Sequence, residues 1–287
     1  MSDIRLTTFT DPMMGLSYES EPMYRKLETH FANKITLNYK MALLVRNVYD
    51  LVNEEDLKVS NEYAISNYNK GLAKIYKSEE MISNMPIDMT NFNLFSVENI
   101  SSYPLNLAYK AVEIIDKSVA ERFLYNLRFA TIVECKKTLD FNVILDVVKD
   151  TGIDKNKFIE MYHSSKVKKL LDYDYLIAKN LNIRLLPAYC LQIGNRNVLI
   201  KKLIDYDGIV DLISKMSNKK VKPNIVHFTL DDFKILLNKH PIISPIEVME
   251  AYDFRSIDDV KKNIGPMIVN NEIEIKEVHN GWFIYKK

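Results

Sequence analysis

The sequence predicts an α/β protein in which a β-α-β opening and a β-β-α closing unit flank a long helical insertion, with a small helix-and-hairpin module after them. Three observations carry this. Ile4–Thr10 alternates apolar and polar residues before the break at Asp11-Pro12, and Ile35–Val45 (ITLNYKMALLV) reads as a second strand. Two strand-like runs, 188–193 and 197–202, turn at Gly194-Asn195 and precede a helical run at 206–216. Near the end, Asn280-Gly281 sits between two further runs, the strongest short-range hairpin signal.

Between the first two strands, Glu19–Phe31 carries Met23, Tyr24, Leu27 and Phe31 at helical spacing, with Pro22 tolerated in the first turn. Two parallel strands joined by a helix require a right-handed crossover. Residues 54–181 are helical by pattern, with segments at 64–77, 104–115, 119–135, 142–151, 155 onward and 167–181. Gly152 supplies a C-cap and Asp154 an N-cap. Residues 85–101 are rich in Asn, Met and Ser and read as a loop wrapping the surface. Residues 217–226 (SNKKVKPNIV) are polar and basic and read as a linker. Three short helices at 230–239, 245–252 and 257–270, then the hairpin, give residues 227–287 the pattern of a winged-helix-like module.

Composition excludes several classes. The net charge is +1 and there are only 7 glycines in 287 residues, so neither a polyanion-binding protein nor a glycine-rich phosphate loop is indicated. The N-terminal stretch MSDIRLTTFT shows no leader pattern, and no run is long and apolar enough to span a bilayer. Two distant cysteines, Cys135 and Cys190, read as reduced thiols in a reducing compartment, so a cytoplasmic protein is expected. Five scattered histidines lack ligand spacing, so no metal is expected. Glu79-Glu80 reads as a solvated helix end. In the last module, 8 Lys/Arg against 10 Asp/Glu across 226–287, with Asp258-Asp259 opening the third helix, argues against nucleic acid. Trp282 either covers that module's core or contacts a neighbour.

The β-α-β, inserted helices, β-β-α order is that of a thioredoxin-like fold, and particular residues strengthen the likeness. FTDPMMGLSYESEPMYRKLE (9–28), SSYPLNLAYKAVEI (101–114) and RLLPAYCLQIG (184–194) resemble the DsbA-like, FrnE-type family over residues 4–216. Asp11-Pro12, Glu21-Pro22, the aromatic Tyr18 and the loop proline Pro187 match its pattern. Bacterial protease adaptors joining such a domain to a winged helix are similar in overall plan.

The resemblance places the family's C-x-x-C at Met14-Gly15-Leu16-Ser17, where no thiol exists. A thioether cannot ionise or attack a disulfide, so the family's redox chemistry does not carry over. What the resemblance still implies is a peptide-binding groove made by Met13, Met14, Gly15, Leu16, Ser17, Tyr18, Leu186 and Pro187, serving a protein or peptide partner. Free N–H groups at the helix start and the backbone before Pro187 would contribute to it. The alternative is an enzyme in which Ser17 holds the thiol of glutathione, as kappa-class glutathione transferases and hydroxychromene-carboxylate isomerases do, although their serine falls at the position of Met14. Ser17 as a plain N-cap is the competing structural reading. A third option is residual oxidoreductase chemistry through Cys135 or Cys190. No other cofactor, no membrane and no particular oligomeric state is implied.

Overall fold

The computed structural model describes residues 4–287. Met1–Asp3, part of the stretch that shows no leader pattern, lie outside the described residues. Strand β1 (Ile4–Thr10) is central and buries alternate side chains first and consecutive ones at its end. A single helical turn, α1 (Gly15–Tyr18), and helix α2 (Glu21–His30) lead to β2 (Ile35–Met41), parallel to β1 with Ile4 opposite Ile35.

The first helix therefore starts earlier than periodicity indicates and is broken at Ser20, where Pro22 sets the start of a new helix. Strand β2 is shorter than the expected 35–45. After Ala42 N–H bonds the Thr10 carbonyl, the Asp11 carboxylate takes the Leu44 N–H at 2.9 Å and pulls the chain off the sheet.

The insertion comprises α3 (Glu54–Leu57), α4 (Asn61–Glu79), α5 (Tyr103–Ile115), α6 (Ala120–Ile132), α7 (Phe141–Lys149), α8 (Lys155–His163) and α9 (Ser165–Asn180). Ser60, Asp140, Asp154 and Ser164 cap four of these with side-chain bonds to backbone N–H groups. The loop at 85–101 is irregular as expected, but it fills the core rather than wrapping the surface. Met85, Ile87, Leu94 and Phe95 are buried, and the Asn69 amide pairs with both backbone groups of Phe95. Strands β3 (Ala188–Ile193) and β4 (Arg196–Ile200) complete a sheet of order β2-β1-β3-β4, backed by α10 (Tyr206–Met216).

Helix α11 (Leu230–Lys239), β5 (Ile242–Ile243), α12 (Pro245–Ala251), α13 (Ile257–Val269), β6 (Ile273–Val278) and β7 (Gly281–Lys286) follow, with sheet order β5-β7-β6. They have their own apolar cluster around Phe233, Val260 and Ile264, on which Trp282 packs. The residue after it, Phe283, instead enters the main core edge-on to Phe129, 4.8 Å between ring centres. The linker is docked as well, since Asn224 N–H bonds the His30 carbonyl at the end of α2 at 2.8 Å.

The strongest tie between the two parts is ionic and buried. Arg25 on α2 has no exposure, and its guanidinium meets Glu21 (2.8 Å), Glu28 (2.8 Å), Glu121 on α6 (3.2 Å) and Glu247 on α12 (3.4 Å). Burial alone pushes this guanidinium down, but the carboxylates of Glu121, Glu21 and Glu247 outweigh it and hold the proton more firmly than usual. His240, which burial and Arg25 push well below its usual range, faces Arg25 with both ring nitrogens and Glu28 through Nε2 (2.9 Å). Tyr125 donates to Glu247 at 2.8 Å, and a Ser244–Glu247 capping box fixes the start of α12.

Removing one member of a buried ion pair leaves a charge without compensation, typically a loss of about 3–5 kcal/mol. Arg25→Ala is expected to lower unfolding free energy by about that amount in urea titration. A loss below about 1 kcal/mol would contradict the network's role.

Candidate functional site

The end of β1 presents the turn expected to be the site. Asp11 is buried, and its carboxylate accepts from Met13 N–H (3.1 Å), Leu44 N–H (2.9 Å), the Ser102 hydroxyl (2.7 Å) and the Asn106 amide (2.8 Å). Burial raises its pKa, against the lowering effect of those bonds. The Asp-Pro of the motif thus knots three chain segments together just before Met14.

The register brings the second expected element beside it. Phe9 pairs with Ala188, so Thr10 and Asp11 lie at the same sheet end as Leu186 and Pro187. The Leu186–Pro187 peptide bond is cis.

The open groove drawn from sequence is corrected here. Met13, Ser17 and Tyr18 are fully buried, Met14 is 6% exposed, and Gly15 and Pro187 are buried as well. Only Leu16 and Leu186 are partly accessible. The cause is a roof made by the insertion. The Tyr76 hydroxyl on α4 donates to the Met13 carbonyl, and Tyr18 donates to the Pro86 carbonyl at 2.8 Å. A Cβ on Gly15 would come within 2.6 Å of the Tyr76 ring, so glycine is needed for this close approach. The N–H groups expected to be free at the helix start belong to a single turn, and that of Tyr18 already bonds the Met14 carbonyl at 3.2 Å.

Ser17 is neither an N-cap nor an accessible hydroxyl. Met14 occupies the cap position without a side-chain bond. Ser17 Oγ lies 2.7 Å from Thr10 Oγ1, which also accepts from Arg128 Nη2 at 2.9 Å, and Arg128 Nη1 reaches Glu21 at 2.7 Å. The turn is therefore wired through Arg128 and Glu21 to Arg25 and onward to Glu247.

The cysteines lie elsewhere. Cys190, on β3 opposite Thr7, packs against a small cluster with Phe9 and Ala178, and burial pushes its thiol up. Cys135 donates to the Asp88 carbonyl at 2.8 Å and is likewise raised, first by burial. Both shifts oppose thiolate formation, the reverse of what disulfide exchange requires.

Glu79, read as solvated, is half-buried with Oε2 against Gly15, and burial pushes it up to about 7. Glu28, Glu121 and His240 could together offer three metal-ligand atoms, but Arg25 and Lys239 already face the same atoms. That cluster is thus an ion-pair centre. The apolar groups accessible at this sheet end are Leu44 (41%) and Leu185 (70%), together with Leu16 and Leu186. Sequence reasoning missed Arg25, Arg128 and Tyr76. For Glu247 the local signal is Ser244-x-x-Glu247, a capping box that marks where α12 begins but not what Glu247 meets.

Comparison with known proteins bears on this geometry. Residues 7–208 match the thioredoxin family. A ClpXP adapter protein named SpxH from Bacillus subtilis is 20% identical over 283 residues, 98% of this chain and 88% of that one. Its namesake from Halalkalibacterium halodurans is 21% identical over 284 residues, with the same two shares. Among solved structures, a probable DsbA oxidoreductase from Streptomyces coelicolor has a TM-score of 0.56 at 10% identity, covering 78% of this chain and 94% of its own. The cytosolic disulfide reductase DsbM from Pseudomonas aeruginosa has a TM-score of 0.51 at 13% identity, covering 75% and 98%. The two structures establish likeness of fold. No helix of the described residues is long and apolar enough to cross a membrane.

Two measurements test the roof. Gly15→Ala forces Tyr76 to move and is expected to cost about 1–3 kcal/mol in urea unfolding, whereas an unchanged midpoint would contradict the close approach. Glu79 holds in the fold a proton that the unfolded chain releases near pH 4.5. Its stabilising contribution is full below that pH and is lost as pH rises through about 7. The urea midpoint is therefore expected to fall from pH 5 to pH 8, and to fall less in Glu79→Gln. Equal slopes would refute the assignment.

Proposed function

The chain belongs to the thioredoxin family, and from that premise we propose that it is a cytoplasmic protein-binding adaptor that uses the scaffold without dithiol chemistry. One observation carries this reading: the positions where the family's thiols would stand hold Met14 and Ser17, both sealed inside the protein. A scaffold with no accessible thiolate still presents an apolar surface at the end of its sheet. Leu16 and Leu186 are the accessible part of the expected binding face, the exposed Leu44 and Leu185 extend it, and the buried residues Met13, Met14, Gly15, Ser17, Tyr18 and Pro187 support it from beneath.

The adaptor reading draws on likeness along nearly the whole chain to the two proteins named ClpXP adapters. On this proposal the protein joins a client to ClpXP. The unit at 227–287, read as winged-helix-like, is joined to the first part where Glu247 on α12 meets Arg25 on α2. Glutathione binding through Ser17 has no supporting observation, since that hydroxyl is committed to Thr10.

The test is reconstitution. Purified chain added to ClpXP is expected to accelerate degradation of a subset of lysate proteins, and Leu185→Asp with Leu44→Asp to reduce that effect at least tenfold. Insulin disulfide reduction should stay at the uncatalysed rate. No change in the degradation profile, or insulin reduction abolished by Cys190→Ser, would overturn the proposal.

A further inference from the structure

A second surface lies just past the turn, beginning at Glu19 and Ser20. A cavity of about 780 Å³ opens between the start of α2, the 3-10 turn Glu80–Ile82, the β4–α10 loop and α12 of the C-terminal module. Its volume falls within the range of ligand-binding clefts. Pro22, Met23, Ile82, Ile204, Ile246 and Met249 give it apolar walls. Two of its rim residues, Ile82 (47%) and Leu203 (38%), are unusually exposed for their type.

One wall residue stands out chemically. Glu19 is only 3% exposed. Its Oε2 accepts from the Ser83 hydroxyl, but Oε1 has no hydrogen-bond partner among the described residues, and no cation pairs with it there. Burial raises its pKa to about 8, with the nearby Glu80 carboxylate adding to the rise, although the Ser83 hydroxyl and the backbone amides of Ser83 and Met85 lower it in part. Leaving a buried acceptor without a donor is costly, so such a group is a natural contact for an incoming donor. The remaining charges around the cavity are committed or peripheral. Glu250 pairs with Lys26 at 3.1 Å, Asp205 caps α10 through Gly208 N–H, Glu80 pairs with Lys77, and Lys202 stands exposed at the rim.

We propose that this cavity receives a cationic side chain, lysine or arginine, from an extended segment of a partner protein, with its alkyl stem against Met23, Ile82 and Ile246 and its charged head at Glu19. This rests on the adaptor reading for the existence of a partner. The unpartnered carboxyl oxygen of Glu19, which gains a charge when a cation enters and its proton leaves, argues for a cationic donor, and the exposed apolar rim argues for flanking apolar residues, hence for a peptide rather than a free amine. Because the cavity has walls from both parts of the chain, only the docked arrangement offers it.

Binding of acetyl-Leu-Arg-Leu-amide to the purified full chain, measured by calorimetry, tests the proposal against the neutral isostere acetyl-Leu-citrulline-Leu-amide. The arginine peptide is expected to bind at least tenfold more tightly, and Glu19→Gln to erase the difference. Only the ionised carboxylate attracts the cation, so wild-type affinity should rise about tenfold between pH 7 and pH 9, since arginine stays charged throughout. At pH 7 binding should release a proton, seen as a dependence of the measured heat on buffer ionisation enthalpy. That readout needs no variant and stands even if Glu19→Gln folds poorly. Equal affinity for the two peptides, no proton release, or agmatine binding as tightly as the arginine peptide would overturn the proposal. Because the probes are synthetic, such a failure leaves the reconstitution with ClpXP untouched.

Discussion

The structure depends on one buried cation. Arg25 sits fully buried on the helix that follows the Met14–Tyr18 turn, so its charge depends on carboxylate partners that stay in place. Glu21 is one turn before it, Glu121 comes from the insertion and Glu247 from the C-terminal module. Moving α12 away would take one carboxylate from Arg25 and leave Glu247 without its cation. The same network extends inward, since Glu21 also holds Arg128, which reaches Thr10 and so fixes the partner of Ser17. A single polar chain thus runs from the thiol-free turn at Ser17 to Glu247 in the C-terminal module.

Much of the fold was legible in local pattern. Alternation marked β1, the glycine-asparagine turn marked β3 and β4, and helix α10 and helix α11 fall at their expected bounds. These elements bury one face against the core, and periodicity records that directly. Boundaries failed where a distant partner decided them, as when the Asp11 carboxylate ended β2 by taking Leu44 N–H. The loop at 85–101 looked like surface because its composition is polar, yet its few apolar residues are the ones that fill the core.

The site was harder to read for the same reason. Resemblance located the turn, its neighbours Asp11-Pro12 and Glu21-Pro22, and Pro187, but not the accessibility of any of them. Tyr76, which covers Met13, lies 63 residues away in sequence. Arg25 and Glu79 look like solvated helix charges until their neighbours are known. Trp282 packs on its own module as one reading had it, while its neighbour Phe283 makes the contact with the main core. What the thioredoxin scaffold retains is a sealed turn above an apolar sheet end, and what it gains is a second part fastened to its first long helix.

Native-state hydrogen exchange tests this account most directly. If the buried network makes one unit of the two parts, amides of α2 (Glu21–His30) and α12 (Pro245–Ala251) should converge on a single opening free energy as urea is raised toward the transition. Opening of α12 and α13 at distinctly lower free energy, with α2 and the turn at Met14 still protected, would show that the module is merely attached and contradict the account.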